Sequence, residues 1–430
     1  MTDPGGRAAE TPVRTHGTAQ AAAAGRPRDA LANATRRLTT ALAWLLFVAA
    51  FGLAAWRGVA GPMQNWDMIA YVGSAVSWGE RDPQRIYDDT LADLQASVGS
   101  GKTRALTSSM LADNPEALRQ QFPFYTIKPG YIALVKLLHT FGSSYAAATW
   151  RIAAFGMLAL GLVLGAWRPA LDARIWLPGV VVFGSIGTPP MWEIAQYSTP
   201  DSVAIAATLA AFLALVKWRS LAGFIVLGVV AMLLRPDGVV LLGIGCVAVA
   251  CAREPATATR PALRPAGAAA ALCVLGIVHI VVQRATGSYG WAKLFYYSFV
   301  DKLARPAETT VHVTPSMYFD ALKDNLAQIG NDPCLLPMLA ASALALVLCR
   351  RQPPQRRVWR WLLGAAWTAL AVRFVLYPAA GVPRYYYTYY LLVFIAAAEM
   401  AGPWLNGRIR RLDEYLESLT RRVGQPGAGA

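Results

Sequence analysis

The sequence predicts an all-α, polytopic membrane protein with about ten transmembrane helices. Three observations carry that expectation. Of 430 residues, 55% are hydrophobic and only 15% are charged, and the mean hydropathy is +0.37. A soluble chain of that composition could not cover its own surface with polar groups. The apolar residues fall in blocks of roughly 17–22, the length of a bilayer-spanning helix. The basic residues sit in short loops at alternate ends of those blocks, as the positive-inside rule requires.

The net charge of +15 raises the question of nucleic acid. Its distribution argues for membrane lipids and no nucleic acid: the charge is spread over inter-block loops, and no face alternates basic and aromatic residues. The five cysteines (Cys246, Cys251, Cys273, Cys334 and Cys349) lie in or beside apolar blocks without a C-x-x-C pair. Neither a zinc site nor a disulfide framework is indicated, and no cofactor is called for.

Residues 1–37 are rich in Ala, Gly, Arg and Pro with little periodicity, which predicts a disordered cytoplasmic tail. Arg36 and Arg37 abut the first apolar block. That block is too long for a signal-peptide core, and no A-x-A site follows it, so it reads as a retained span over 38–57. A long mixed segment, 58–144, comes next. Spans two to seven fall at 145–167, 175–190, 200–216, 220–234, 237–252 and 266–283. A second long loop covers 284–332, and spans eight to ten fall at 333–349, 361–377 and 387–404.

One side of this arrangement collects Arg168 and Arg174, Lys217 and Arg219, then Arg253, Arg260 and Arg264. It also collects Arg350, Arg351, Arg356, Arg357 and Arg360, and a basic cytoplasmic tail, 405–430, with Arg408, Arg410 and Arg411. Every odd-numbered span enters from that side. The two long loops then face the periplasm of a bacterial inner membrane, and 38–404 forms one transmembrane domain. Within the first loop, Gly130 to Phe141 is too short to span and carries Lys136 and His139. It reads as an interfacial helix.

Several charged groups lie on the periplasmic side of this topology. Asp67, in Asn65-Trp66-Asp67-Met68, follows span one. A carboxylate held where a span leaves the bilayer is partly desolvated, which favours proton uptake and suits a general base. Asp before an apolar run is also a favoured helix cap. Lys128, before Pro129, can hold a phosphate as a point charge, or can simply snorkel. Arg384 and Tyr385 open a run of tyrosines at the mouth of span ten. An aromatic belt accounts for most of the tyrosines. It does not account for Arg384, whose guanidinium can grip phosphate through two parallel hydrogen bonds. Arg235 and Asp237 lie in a turn between spans five and six, and Asp201 precedes span four. A local ion pair and a cap are the plainer readings of these. Gly99-Ser100-Gly101-Lys102-Thr103 looks like the end of a phosphate-binding loop, but Ala96 occupies the first glycine position. It reads as a flexible loop.

Taken in order, these elements resemble the GT-C class of glycosyltransferases. Within it they resemble the protein O-mannosyltransferases and the aminoarabinose transferase of lipid A. The family pattern D-E-a-x-Y-x-x-x-A after span one is met by Asp67, Tyr71 and Ala75, with Met68 in place of the second acid. A family K-P-P or H-P-P before an interfacial helix is met by Lys128 and Pro129, with Gly130 in place of the second proline. Phe141-Gly142 through Ala147, Ala148 and Arg151 is similar to the family's entry to span two. Ser198 with Asp201, and Arg384-Tyr385, are similar to later motifs. The likeness covers roughly residues 40–220 and the Arg384 region.

The resemblance implies a periplasmic, inverting transfer of a sugar from a polyprenyl-phosphate donor to a lipid, glycan or protein acceptor. Asp67 would be the catalytic base. Tyr71, Lys128, Asp201, Arg235, Asp237, Arg384 and Tyr385 would bind substrate, with Lys128 and Arg384 on the departing phosphate. A surface-polysaccharide polymerase or ligase would share the multi-span build, but would carry its largest loop late in the chain. A secondary transporter would show paired, Gly/Pro-interrupted spans in corresponding halves.

Overall fold

A computed structural model describes residues 18–111, 114–167, 169–187, 189–252, 264–349, 357–380 and 382–423. They form seventeen α-helices joined by short turns. Among the described residues the sole extended pairing is an isolated bridge between Met63 and Tyr197.

The apolar blocks become helices α1 (Thr18–Ala60), α7 (Tyr145–Trp167), α8 (Ala173–Ser185), α9 (Asp201–Val216), α10 (Leu221–Leu234), α11 (Val239–Cys251) and α12 (Pro265–Ala285). After a second group of short helices come α15 (Leu335–Cys349), α16 (Arg357–Leu376) and α17 (Tyr387–Val423). Stretches of α1, α7, α12 and α17 are long and apolar enough to cross a membrane. Helices α8, α9, α10, α11 and α15 are shorter and apolar. Leu45, Val48 and Leu53 on α1, Ile277 and Val281 on α12, and Leu336 and Val347 on α15 stand exposed. Such bands are costly against water and neutral against hydrocarbon. The chain thus has the build of a helical membrane protein.

The first mixed segment contains α2 (Trp66–Val76), α3 (Pro83–Val98), α4 (Ser100–Leu111), α5 (Pro115–Gln121) and α6 (Pro129–Thr140). Among the described residues there, no helix is long and apolar enough to span. The second mixed segment contains α13 (Gly290–Phe299) and α14 (Pro315–Ile329). Local chemistry starts three of these helices. Asp82, Asn114 and Thr314 each accept a backbone N–H of the first turn of α3, α5 and α14, and a proline follows each cap.

Three expectations change. The chain is helical from Thr18, so the disordered tail expected over 1–37 gives way to α1 over 18–37; residues 1–17 lie outside the described residues. Alanine, the strongest helix former, fills 21–24 and extends the span backwards. At the other end α17 runs through Pro403 to Val423, so the basic tail is helical over 405–423 with Arg408, Arg410 and Arg411 exposed; residues 424–430 lie outside the described residues. The expected loop 99–103 is also helical from Ser100: Gly99, at φ +84°, ends α3, and α4 begins at once. Arg168, Arg253, Arg260, Arg350, Arg351 and Arg356 lie outside the described residues.

Close packing of α7 against α9 fixes where α9 begins. A Cβ on Gly156 would stand 2.3 Å from the Ser202 hydroxyl and 2.5 Å from the Val203 nitrogen. Only glycine lets the helices approach so far. Ser202 then donates to the Ala153 carbonyl at 2.7 Å. That contact anchors the chain one residue after Asp201. Far from Asp201 along the chain's helices, Asp172 pairs with Arg36 at 3.8 Å and Arg174 at 3.1 Å, Arg174 with Asp413 at 3.3 Å, and Lys217 with buried Glu399.

Candidate functional site: a charged cavity at the helix ends

Asp67 lies in the first turn of α2. The cap position belongs to Asn65, in extended backbone, so Asp67 does not cap the helix. Its carboxylate takes three hydrogen bonds. Tyr125 donates its hydroxyl to Oδ1 at 3.0 Å, and Oδ2 accepts from Arg384 Nη2 at 3.1 Å and Asn65 Nδ2 at 3.3 Å. Its side chain keeps 29% of its exposure.

Lys128 immediately precedes Pro129, the first residue of α6. Its ammonium donates to the buried hydroxyl of Tyr71 and sits 4.9 Å from the centre of that ring and 5.4 Å from Tyr125's. Burial among these rings pulls the Lys128 ammonium down to about 8. Tyr71, one turn after Asp67, therefore orients Lys128 and not Asp67. Gly130, where the family pattern has a second proline, has a packing reason. A Cβ there would stand 2.9 Å from Leu233 Cβ and 3.1 Å from the Leu233 carbonyl oxygen. Its absence lets α6 start hard against the last turn of α10, which ends beside Arg235.

The remaining charges form one row. Arg384 pairs with Asp67 and, through Nε at 3.4 Å, with Asp201. Asp201 is 3% exposed; it also pairs with Arg235 and accepts from the Thr199 hydroxyl at 2.8 Å. Arg235 pairs with Asp237 at 3.0 Å, and Asp237 with Arg373 at 3.2 Å. The Tyr385 ring lies 4.6 Å from Arg235, 5.5 Å from Arg373 and 5.5 Å from Arg384. It screens the three like charges from one another.

A cavity of about 450 Å³ opens on this row, with Asp67, Tyr71, Lys128, Asp201, Arg235, Arg384 and Tyr385 on its wall. The residues singled out in the sequence thus come together, with two adjustments. Asp237 stands behind Arg235, off that wall, and acts as its counter-charge. The Arg384 fork, expected on a phosphate, is spent on Asp67 and Asp201. Tyr125, Tyr297, Lys302 and Tyr377 also line the cavity and were not foreseen. Nothing in the sequence marks Lys302. Among the described residues no group of three or more His, Cys, Asp or Glu is placed to hold a metal ion.

Fold and site together define a helical membrane protein with a charged, tyrosine-walled cavity where several helices begin or end. Comparison with protein-family models, curated proteins and solved structures gives no match to this chain.

Proposed function

We propose that the chain is a membrane glycosyltransferase of the GT-C kind, moving a sugar from a polyprenyl-phosphate donor to an acceptor hydroxyl with inversion. One observation carries this: a hydrogen-bonded carboxylate, Asp67, and a lysine, Lys128, share the wall of one cavity. Among the described residues Lys128 has no carboxylate within ion-pairing distance, so its charge is available to a substrate. Asp67 takes the proton of the acceptor hydroxyl as its oxygen attacks the anomeric carbon. The phosphate leaves beside Lys128, which stabilises the charge that develops there. Arg384 and Tyr125 aim the Asp67 carboxylate.

The proposal includes ten spans, cytoplasmic termini and a cavity facing the periplasm of the inner membrane. Asp67, Lys128, Asp201, Arg235 and Arg384, which line one cavity, all fall near the side the basic loops assign to the periplasm. Reporter fusions at Gly99 and Ala307 are expected to read periplasmic. A cytoplasmic signal at either site would refute the orientation.

Binding of a polyprenyl phosphate to the full chain in nanodiscs tests the reading. Lys128 is charged below about 8 and neutral above it. Affinity is therefore expected to fall about tenfold between pH 7 and pH 9, following the protonated fraction, while arginines stay charged. Lys128→Met should weaken binding and abolish the pH step. Absence of binding at either pH overturns the proposal. A step that survives in Lys128→Met removes Lys128 from the phosphate.

A further inference from the structure

A second cavity, of about 330 Å³, adjoins the first at the Asp67–Arg384 ion pair and is lined by Asn65, Trp66, Pro189, Tyr197, Asp67 and Arg384. The two spaces share Asp67, Val382 and Arg384. We infer that this second cavity is the acceptor subsite, and that its occupant is a sugar ring offering a hydroxyl to Asp67. The inference deepens the transferase proposal above and rests on it.

The two cavities differ in chemistry. Lys128, Arg235 and Lys302 line the first. The second has no lysine on its wall, and the charge of Arg384 is offset by Asp67. It therefore suits an uncharged ligand. Two aromatic side chains, Trp66 and Tyr197, supply apolar surface, and Arg384 stacks 4.9 Å from the Tyr197 ring centre. Asn65 braces the polar edge: its Nδ2 is committed to Asp67, which can only accept, so the orientation of the amide is fixed. The Asp67 carboxylate, with 29% of its side chain exposed, is the acceptor that a ligand hydroxyl would meet. Hydroxyl donors on one edge and a C–H face for the aromatic rings are together the surface of a pyranose. The volume lies near the small end of the range of roughly 300–1,000 Å³ for small-molecule sites, which suits one or two sugar rings.

The walls are fixed in advance. The Met63 amide donates to the Gln196 carbonyl at 2.8 Å, and the Gln196 side chain donates to the Gly61 carbonyl at 2.7 Å. These ties hold the segment before Asp67 against the segment carrying Tyr197. The Tyr387 hydroxyl donates to the Pro189 carbonyl. Asp67 is held from both sides, at Oδ1 by Tyr125 of the first cavity and at Oδ2 by Asn65 of the second. The acceptor hydroxyl loses its proton to Asp67, and its oxygen bonds to the donor's anomeric carbon. The bond from that carbon to the phosphate oxygen breaks, and its electron pair leaves with polyprenyl phosphate beside Lys128. Inversion requires the acceptor oxygen and the departing phosphate oxygen to stand on opposite faces of the anomeric carbon, with Asp67 on the acceptor's side and Lys128 beside the phosphate.

The test uses the full chain in nanodiscs with two kinds of probe. The first is a set of methyl pyranosides of glucose, galactose, mannose and N-acetylglucosamine, followed by saturation-transfer NMR beside a blocked Ser-Thr peptide. The second is undecaprenyl phosphate. At least one methyl pyranoside is expected to bind, and to bind roughly tenfold more weakly in Trp66→Ala, the scale of one lost aromatic contact. Asn65→Ala should weaken it as well, and provides the measurement where Trp66→Ala does not insert. Lys128→Ala should leave pyranoside binding unchanged. Undecaprenyl phosphate should show the reverse pattern, lost in Lys128→Ala and kept in Asn65→Ala. Binding of the peptide alone, of no pyranoside, or of a pyranoside that depends on Lys128 and not on Asn65 or Trp66 overturns the acceptor assignment. Undecaprenyl phosphate bound through Lys128 in those cases leaves glycosyl transfer standing; failure of that lipid to bind removes both.

Discussion

Asp67→Asn is expected to lower sugar transfer by roughly a hundredfold or more, the usual loss on removing a general base, while the protein still folds and inserts. The asparagine keeps the shape of the side chain and can still accept the Tyr125 hydroxyl. It cannot take a proton. Its amide nitrogen would face Arg384 Nη2 and Asn65 Nδ2, both donors. The cost to stability should be modest, because Arg384 retains Asp201 and the Asp67 side chain is 29% exposed. Since Asn65 and not Asp67 holds the cap position of α2, a capping role does not compete with this outcome. The measurement is the initial rate of polyprenyl phosphate release from its sugar-linked form in proteoliposomes. Near-normal release by a correctly inserted Asp67→Asn protein would end the catalytic assignment and leave the fold untouched.

Asp201→Ala is expected to act in the opposite way, on the fold first. Asp201 is 3% exposed and is the one carboxylate shared by Arg235 and Arg384. Removing it leaves two largely buried guanidiniums facing each other without their common counter-charge. Breaking a buried pair from one side costs about 3–5 kcal/mol. Asp201→Asn restores hydrogen-bond acceptance without charge, and its loss should be smaller. Thermal melts of the two variants in detergent, against wild type, read the difference. A variant Asp201→Ala that melts with wild type would mean the arginines find other partners, and the row of charges would lose its structural role.

Where lipid sets the rules, the sequence was informative. A bilayer fixes how long a spanning apolar block must be, so 145–167 foretold Tyr145–Trp167 almost to the residue, while 220–234 foretold the bounds of the shorter helix Leu221–Leu234. The short helix at Gly130 was visible because its apolar run was too short to cross. Helices outside the long apolar blocks were not read. Residues 18–37 and 100–111 lie in no such block, and in 405–423 the apolar positions Leu405, Ile409, Leu412, Leu416 and Leu419 keep a helical spacing that the charged residues between them obscured. The site divides along a similar line. Asp67, Lys128 and Arg384 announced themselves as charges at the edges of apolar runs. Their partners did not, because Asp67 meets Tyr125 across 58 positions and Arg384 across 317. Gly130 looked like a departure from a motif until its contact with Leu233 was visible.

The alternating row Asp67–Arg384–Asp201–Arg235–Asp237–Arg373 also constrains how such a chain can diverge. Each of the four inner members answers two opposite charges. Neutralising Asp201 leaves Arg384 with Asp67 alone and Arg235 with Asp237 alone, and neutralising Arg235 leaves Asp201 with Arg384 alone and Asp237 with Arg373 alone. A lineage leaving this arrangement must therefore alter inner positions in matched pairs, such as Asp201 with Arg235, passing through an intermediate that is poorly stable. The two outer members each answer a single charge, so Arg373 is free to drift alone, whereas Asp67 is held by its chemistry.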